Sequence, residues 1–311
     1  MRIAAIVTLC TSPLLAQSAG VPRLGWIPAD PPGRLREVVG LPGAAQLGPP
    51  LSFGAARILS IRPDRNIAVA LRPDGTVGLL DLRPGEPDAA WQTLEGAVHD
   101  ADVAAWSPLG HVLALGSVAE GRLQVWHIEE EDAPKLAYEL PVTAGRAAVS
   151  DAGSVLAAMD GALYRVSADG AMQLVSPHVS GAVTFLAGSD RFAWVEDSGV
   201  WMQGRDGPPV RIVLPEGAST NGILLASARG APLLTAAPGP KETILASWNE
   251  HGELAGQWRC PASVLDLAPS GQQGVFQLLT AGSGPVWMAA LGDTGGRVFF
   301  VPARVEEGQQ Q

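Results

Sequence analysis

Cysteine is nearly absent: the 311-residue chain carries two. Cys10 falls in an N-terminal stretch that reads as a cleaved leader, so Cys260 would stand alone in the mature chain, where no intramolecular disulfide is possible. Stability must then come from packing. As a nucleophile Cys260 would need a base and an orienting group. It stands beside Pro261 with no histidine nearby and is read as a small buried residue. Aromatic residues are scarce too, at 5% against 47% hydrophobic, so aliphatic side chains and alanine must fill the core. Positive charge is the third shortage. With 21 basic against 31 acidic residues, the net charge of −10 disfavours nucleic acid and anionic membrane surfaces as partners. No stretch approaches the ~20 apolar residues that a membrane-spanning helix needs.

The N-terminus bears on compartment. Met1 and Arg2 form a short basic start, Ile3 to Leu9 with Leu14 and Leu15 an apolar stretch, and Ala16 to Ala19 offer small-residue cleavage positions. Residues 1–19 read as a secretory signal peptide, which implies a secreted or periplasmic protein. Leu9 precedes Cys10 where a lipidated cysteine would follow a small residue, so a lipoprotein is not expected.

Against these shortages stands a recurring pattern. An apolar strand is followed by a Ser/Pro/Gly-type turn, a small-residue apolar strand, a Gly-centred turn, and a short strand that often ends in Trp. It is clearest in Val103 to Ile128, VAAWSPLGHVLALGSVAEGRLQVWHI. Other copies start near Arg57, Arg146, Ala182, Gly222 and Val264. A period of roughly 40 residues with several strands per repeat indicates propeller blades. The turns have a physical basis, since Pro presets φ, Asp and Ser bond nearby backbone, and Gly accepts positive φ. Val112 to Gly116 (VLALG) and Ile67 to Leu71 (IAVAL) are nearly continuous apolar runs, as strands covered on both faces should be.

The fold expected is therefore an all-β propeller spanning residues 20–304, followed by a disordered tail over 305–311. Leu24 to Ile27 and Arg34 to Val39 read as two strands, and Arg297 to Val301 as a lone strand at the far end. Pairing these pieces would close the ring with a composite blade, giving seven blades. Six is the alternative, with the N-terminal hairpin packed outside. Trp126, Trp201, Trp248 and Trp287 recur at one place in the repeat, with Tyr164 at the same place in another copy. They are read as packing between blades, although a Trp stripe can also stack on sugars or peptides.

Trp91 and Trp258 fall outside the pattern and are candidates for an exposed contact. The acidic run Glu129, Glu130, Glu131 and Asp132 reads as a solvated loop, with cation binding as the sharper reading. His99, with Asp100 and Asp102, is the tightest His/carboxylate group in the chain. It offers a metal or acid–base site, or a histidine that orients a turn, and the second is preferred.

His99 through Ile128 resembles a WD40 repeat: His99 stands where that family places its Gly-His pair, WSPLG matches WSPDG, and VWHI stands where VWD-type endings occur. His127 replaces the motif's Asp, and the other copies keep few of these residues. The S-P-x-G turns are also similar to those of TolB-type propellers. The resemblance implies a scaffold that binds proteins through loops and a central face, with no cofactor.

Two functions from different classes follow. One is an exported, non-enzymatic module that binds a protein or envelope component, expected as a monomer, with the segments around Trp91 to Asp102 and Glu129 to Pro141 and Trp258 as its candidate surface. The other is a hydrolase of the lactonase kind, which requires three or more Asp, Glu, Asn or His side chains converging at one mouth of the channel. No sialidase-type S-x-D-x-G-x-x-W box occurs.

The leader reading makes one direct prediction: chain produced in an exporting bacterium is recovered outside the cytoplasm with its N-terminus between Gln17 and Gly20. N-terminal sequencing checks this, and an N-terminus retaining Met1 would refute it.

Overall fold

In the computed structural model, the described residues are 22–29, 34–63, 67–82, 91–129, 132–203, 207–239, 241–270, 272–280, 284–292 and 295–302. The predicted leader and tail lie outside them. Seven antiparallel sheets form a ring, six of four strands and one of three. Blade 1 comprises β1 (Arg23–Ala29), β2 (Arg34–Val39) and β3 (Gln46–Ser52). Blade 2 comprises β4 (Arg57–Ile61), β5 (Ile67–Leu71), β6 (Val77–Asp81) and β7 (Trp91–Thr93). Blade 3 comprises β8 (Val103–Trp106), β9 (Val112–Ser117), β10 (Arg122–His127) and β11 (Lys135–Leu140). Blade 4 comprises β12 (Arg146–Val149), β13 (Val155–Met159), β14 (Ala162–Val166) and β15 (Met172–Ser176). Blade 5 comprises β16 (Val183–Phe185), β17 (Phe192–Glu196), β18 (Gly199–Gln203) and β19 (Val210–Ile212). Blade 6 comprises β20 (Leu224–Ala228), β21 (Ala231–Pro238), β22 (Thr243–Trp248) and β23 (Leu254–Cys260). Blade 7 comprises β24 (Val264–Pro269), β25 (Val275–Thr280), β26 (Val286–Gly292) and β27 (Gly295–Val301).

The apolar runs do what their composition dictates. Every residue of β9 is buried, because one face packs on blade 2 and the other on blade 4. Burying a Leu side chain of this kind is worth about 1.5–3 kcal/mol, so each blade is held chiefly by its neighbours. The repeated tryptophans pack as expected. Trp126 and Trp248 are 2% exposed within inter-blade clusters, and Trp201 stacks on Trp194 at 6.5 Å between ring centroids. Cys260 is fully buried, and that burial pushes its thiol pKa up.

In blades 2 to 7 the first strand lies innermost. We call the end of the ring where these strands begin the near mouth, and the end where they finish the far mouth. At the far mouth the Ser-Pro-Leu-Gly segment closes a tight turn: Ser107 N–H donates to Val112 O at 2.8 Å, and Gly110, at φ 76°, donates to Ser107 O at 2.8 Å. Successive turns are also stitched to each other. The Asp151 carboxylate accepts from Leu109 N–H of blade 3 at 2.8 Å and from Gly188 N–H of blade 5 at 3.0 Å, so one side chain ties three blades. Ser227 Oγ extends the belt by accepting from Ala187 N–H at 2.9 Å.

Ring closure departs from the expected pairing. Arg297 to Val301 belongs to β27, which pairs with β26 through a hairpin closed at Gly292 and Gly295, so blade 7 is complete within itself. A hairpin between residues three apart costs far less loop entropy than bridging most of the chain. The N-terminal pair gains its third strand locally instead, from β3, whose Pro49 and Pro50 suit an outer edge. Closure is made by side chains: Leu24, Ile27, Val38 and Leu47 pack with Val275, Met288 and Val301, and Arg297 donates to Pro42 O at 2.6 Å.

The packing partners also show which strands blade 1 holds. Gly25 of β1 lies beside Gln277 of β25, and Gly43, just before β3, lies beside Arg297 of β27, so β1 stands level with the second strand of blade 7. Gly25 sits beside Ser270 and Gln277, at the far end of blade 7, which makes β1 run opposite to the innermost strands. Among the described residues the innermost row of blade 1 is empty, and β1 is the terminal strand of its sheet.

Replacing Asp151 by Ala leaves the Leu109 and Gly188 amides without their acceptor and is expected to cost about 1–3 kcal/mol, with Asn recovering part of it. Denaturant unfolding of both variants measures this, and an unchanged midpoint would show that the belt contributes nothing.

Candidate functional site

The innermost strands enclose an axial channel of about 1410 Å³. Around most of the ring its wall is small and weakly polar, with Ala105, Ala148, Thr184, Ser227 and Ala268 among the lining residues. At blade 1 the wall steps back by one strand row. There the channel reaches Arg34, Leu35 and Arg36 on β2 and Gln277 to Thr280 on β25, residues that an innermost strand would otherwise cover.

Among the described residues five arginines line this space, Arg23, Arg34, Arg36, Arg57 and Arg62, against one acid, Asp266. In a chain of net charge −10 this is a local inversion of sign. Arg34 pairs with Ser52 across β2 and β3, and Arg57 begins β4 five residues later, so both stand at the near mouth. Both are exposed. Arg57 reaches Ala101 O at 3.4 Å. Arg23 lies at the opposite end of β1, with its Nε 2.8 Å from Glu37. Arg62 is 2% exposed: it donates to Ile128 O at 3.1 Å and its guanidinium lies 5.4 Å from the Trp106 ring centroid, an arrangement that fixes blade 2 to blade 3.

Asp266 sits on β24, beside the empty row. Its carboxylate faces water in the channel yet is hemmed in by protein, and this burial raises its pKa, while a bond from Leu267 N–H at 2.9 Å acts the other way.

The residues singled out from sequence are scattered over the outside. Trp91 is partly buried on β7, with Arg72 4.2 Å from its ring centroid and its indole N–H donating to Thr93 Oγ1 at 3.0 Å. His99, Asp100 and Asp102 are exposed on the link into blade 3. His99 Nδ1 lies 3.6 Å from Asp100, His99 N–H donates to Glu120 at 2.6 Å, and Asp102 accepts from Val118 N–H at 2.9 Å. These contacts order the connection between blades 2 and 3. Glu129 is exposed at the far mouth, while Glu130 and Glu131 lie outside the described residues. Trp258 is partly buried on the outer strand β23, its ring over Gly256 and Gly296. None of these lines the channel.

Among the described residues no three His, Cys, Asp or Glu side chains stand close enough to hold a metal ion. The convergence of acids that a lactonase-type site requires is not found among them at either mouth. Nor is any helix among the described residues long and apolar enough to cross a membrane. Acids and histidines are the residues that point to catalysis or metal binding in sequence, so these arginines do not stand out there, yet they leave a signal. From Arg23 to Arg72 the sequence holds seven arginines (23, 34, 36, 57, 62, 65, 72) against three acids (Asp30, Glu37, Asp64).

No protein-family profile matches the chain, and no curated protein does. Solved structures match in fold. The surface component PorZ of the type-IX secretion system of Porphyromonas gingivalis aligns with a TM-score of 0.58 at 11% identity, over 92% of this chain and 39% of that one. The chain thus spans well under half of PorZ. The β-propeller domain of Swd1 from Myceliophteria thermophila aligns with a TM-score of 0.49 at 12% identity, over 79% of this chain and 86% of that one. Virginiamycin B lyase from Staphylococcus aureus gives 0.48 at 13%, over 92% and 86%. At these identities the likeness is one of fold.

The raised pKa of Asp266 has a definite sign. A carboxyl whose folded pKa lies above its unfolded value destabilises the fold when ionised, so its penalty is fully present above the folded pKa and fades as pH falls towards the unfolded one. Asp266→Asn is therefore expected to be more stable than the parent at pH 7, with the difference vanishing in acid. Parallel unfolding curves across pH check this, and a variant less stable at neutral pH would contradict it.

Proposed function

We propose that the chain is an exported binding module, without chemistry of its own, that takes up an anionic segment of a protein or envelope component in its axial channel. The observation that carries this reading is the arginine-lined recess at blade 1 in an otherwise acidic chain. Guanidinium groups present planar, paired donors that match carboxylates and phosphates, and a channel with low-dielectric walls concentrates their field. The negative remainder of the molecule repels anions elsewhere, so attraction is focused on the recess. Export rests on residues 1–19 alone. The cluster of acids or histidines that would favour hydrolysis is not found among the described residues.

The test compares the parent chain with an Arg34→Glu/Arg57→Glu double variant, both immobilised, in capture from envelope extract under mild crosslinking. Both sites are exposed, so the variant should fold. The expected result is a component captured by the parent, lost by the variant, and weakened as salt rises from about 50 to 200 mM. Equal capture by both chains would refute the channel as the binding site.

A further inference from the structure

We propose that the ligand of this recess is an extended peptide strand, acidic at its N-terminal end, that adds to the edge of β1 left unpaired among the described residues and takes the innermost position of blade 1. The inference rests on the binding function proposed above and specifies its ligand.

Shape comes first. The other six blades each place a strand of three to six residues on the axis, and in blade 1 that row holds none among the described residues. The opening lies between β24 of blade 7 and β4 of blade 2, both of which line the channel. Its floor is β1, which pairs with β2 on one edge only. An open sheet edge presents unused N–H and C=O groups, and addition of a peptide strand is the general way such an edge is recognised. Pro28 on β1 is tolerated at an edge.

Direction follows from the ladder. β1 runs from the far mouth to the near mouth, so a peptide pairing antiparallel with it runs from near to far, as every other innermost strand does. The N-terminal residues of the peptide then lie beside Arg34 and Arg57. Asp266, on the opposite wall, is the one acid among the described residues that line this space. Two guanidinium groups against one carboxylate select acidic side chains at the start of the peptide. Beyond them the walls, with Ile58, Ile61 and Leu279, suit small apolar residues.

The test uses the full chain and a synthetic peptide, Ac-EEVAVAV-amide, with binding followed by calorimetry. The lysine version, Ac-KKVAVAV-amide, should not bind. Arg34→Glu or Arg57→Glu should weaken binding of the acidic peptide about tenfold, and Asp266→Asn should tighten it. Methylating alternate backbone amides should abolish binding in one register and leave it in the other, because only every second N–H faces β1. Equal binding by both methylated forms would overturn strand addition while leaving anion binding intact. If poly-glutamate binds in an Arg57-dependent way and the peptide binds no better, strand addition likewise fails and the broader reading survives. Failure of both ligands removes both. Binding seen only when Glu306 and Glu307 are changed to Lys would assign the slot to the chain's own C-terminal residues and overturn the proposal.

Discussion

The structure depends on one constraint: a sheet that is apolar on both faces must be covered on both. No blade here can satisfy that requirement alone, since β5, β9 and β13 bury residues of both parities along the strand. Each blade is the solvent of the next, and only a closed ring leaves no sheet uncovered. The small residues of these strands serve the same end. Ala and Gly near the axis let backbones converge, while Leu, Trp and Phe fill the wider space further out.

Much of this was legible because it is local. The turn at Ser107 to Gly110 is specified by four adjacent residues, and the same chemistry at Ser150 to Gly153 produces the same bonds. Trp126 and Trp248 could be assigned to packing from recurrence alone, and recurrence marks six of the seven blades, the seventh being the N-terminal sheet. Closure was not legible in that way. Period says nothing about which terminal strand joins which sheet, and the Gly-Pro-Pro run of β3 reads as linker unless a sheet is already there to receive it. The Asp151 bridge was hidden for a related reason. An aspartate in a turn is expected to bond its own backbone, whereas this one bonds the turns on either side.

Charge shows the same division between what is local and what the ring assembles. His99, Asp100 and Asp102 are neighbours in sequence and remain a surface cluster. The arginines of blades 1 and 2 are spread over forty residues and form one wall where, among the described residues, no strand stands on the axis between blades 7 and 2. Their signature in sequence was a regional excess of one sign and not a motif.

The seam between blades 7 and 1 is held by Leu24, Val38, Met288 and Val301 and by the bond from Arg297 to Pro42, which joins positions 255 residues apart. Its two sides are made 255 residues apart in synthesis. Blade 1 is the first of the described sheets to leave a ribosome or a translocon, and its outer face waits for blade 7 before it is covered. Until the seam closes, one apolar flank of the arc stays exposed, a surface of the kind that draws chaperones.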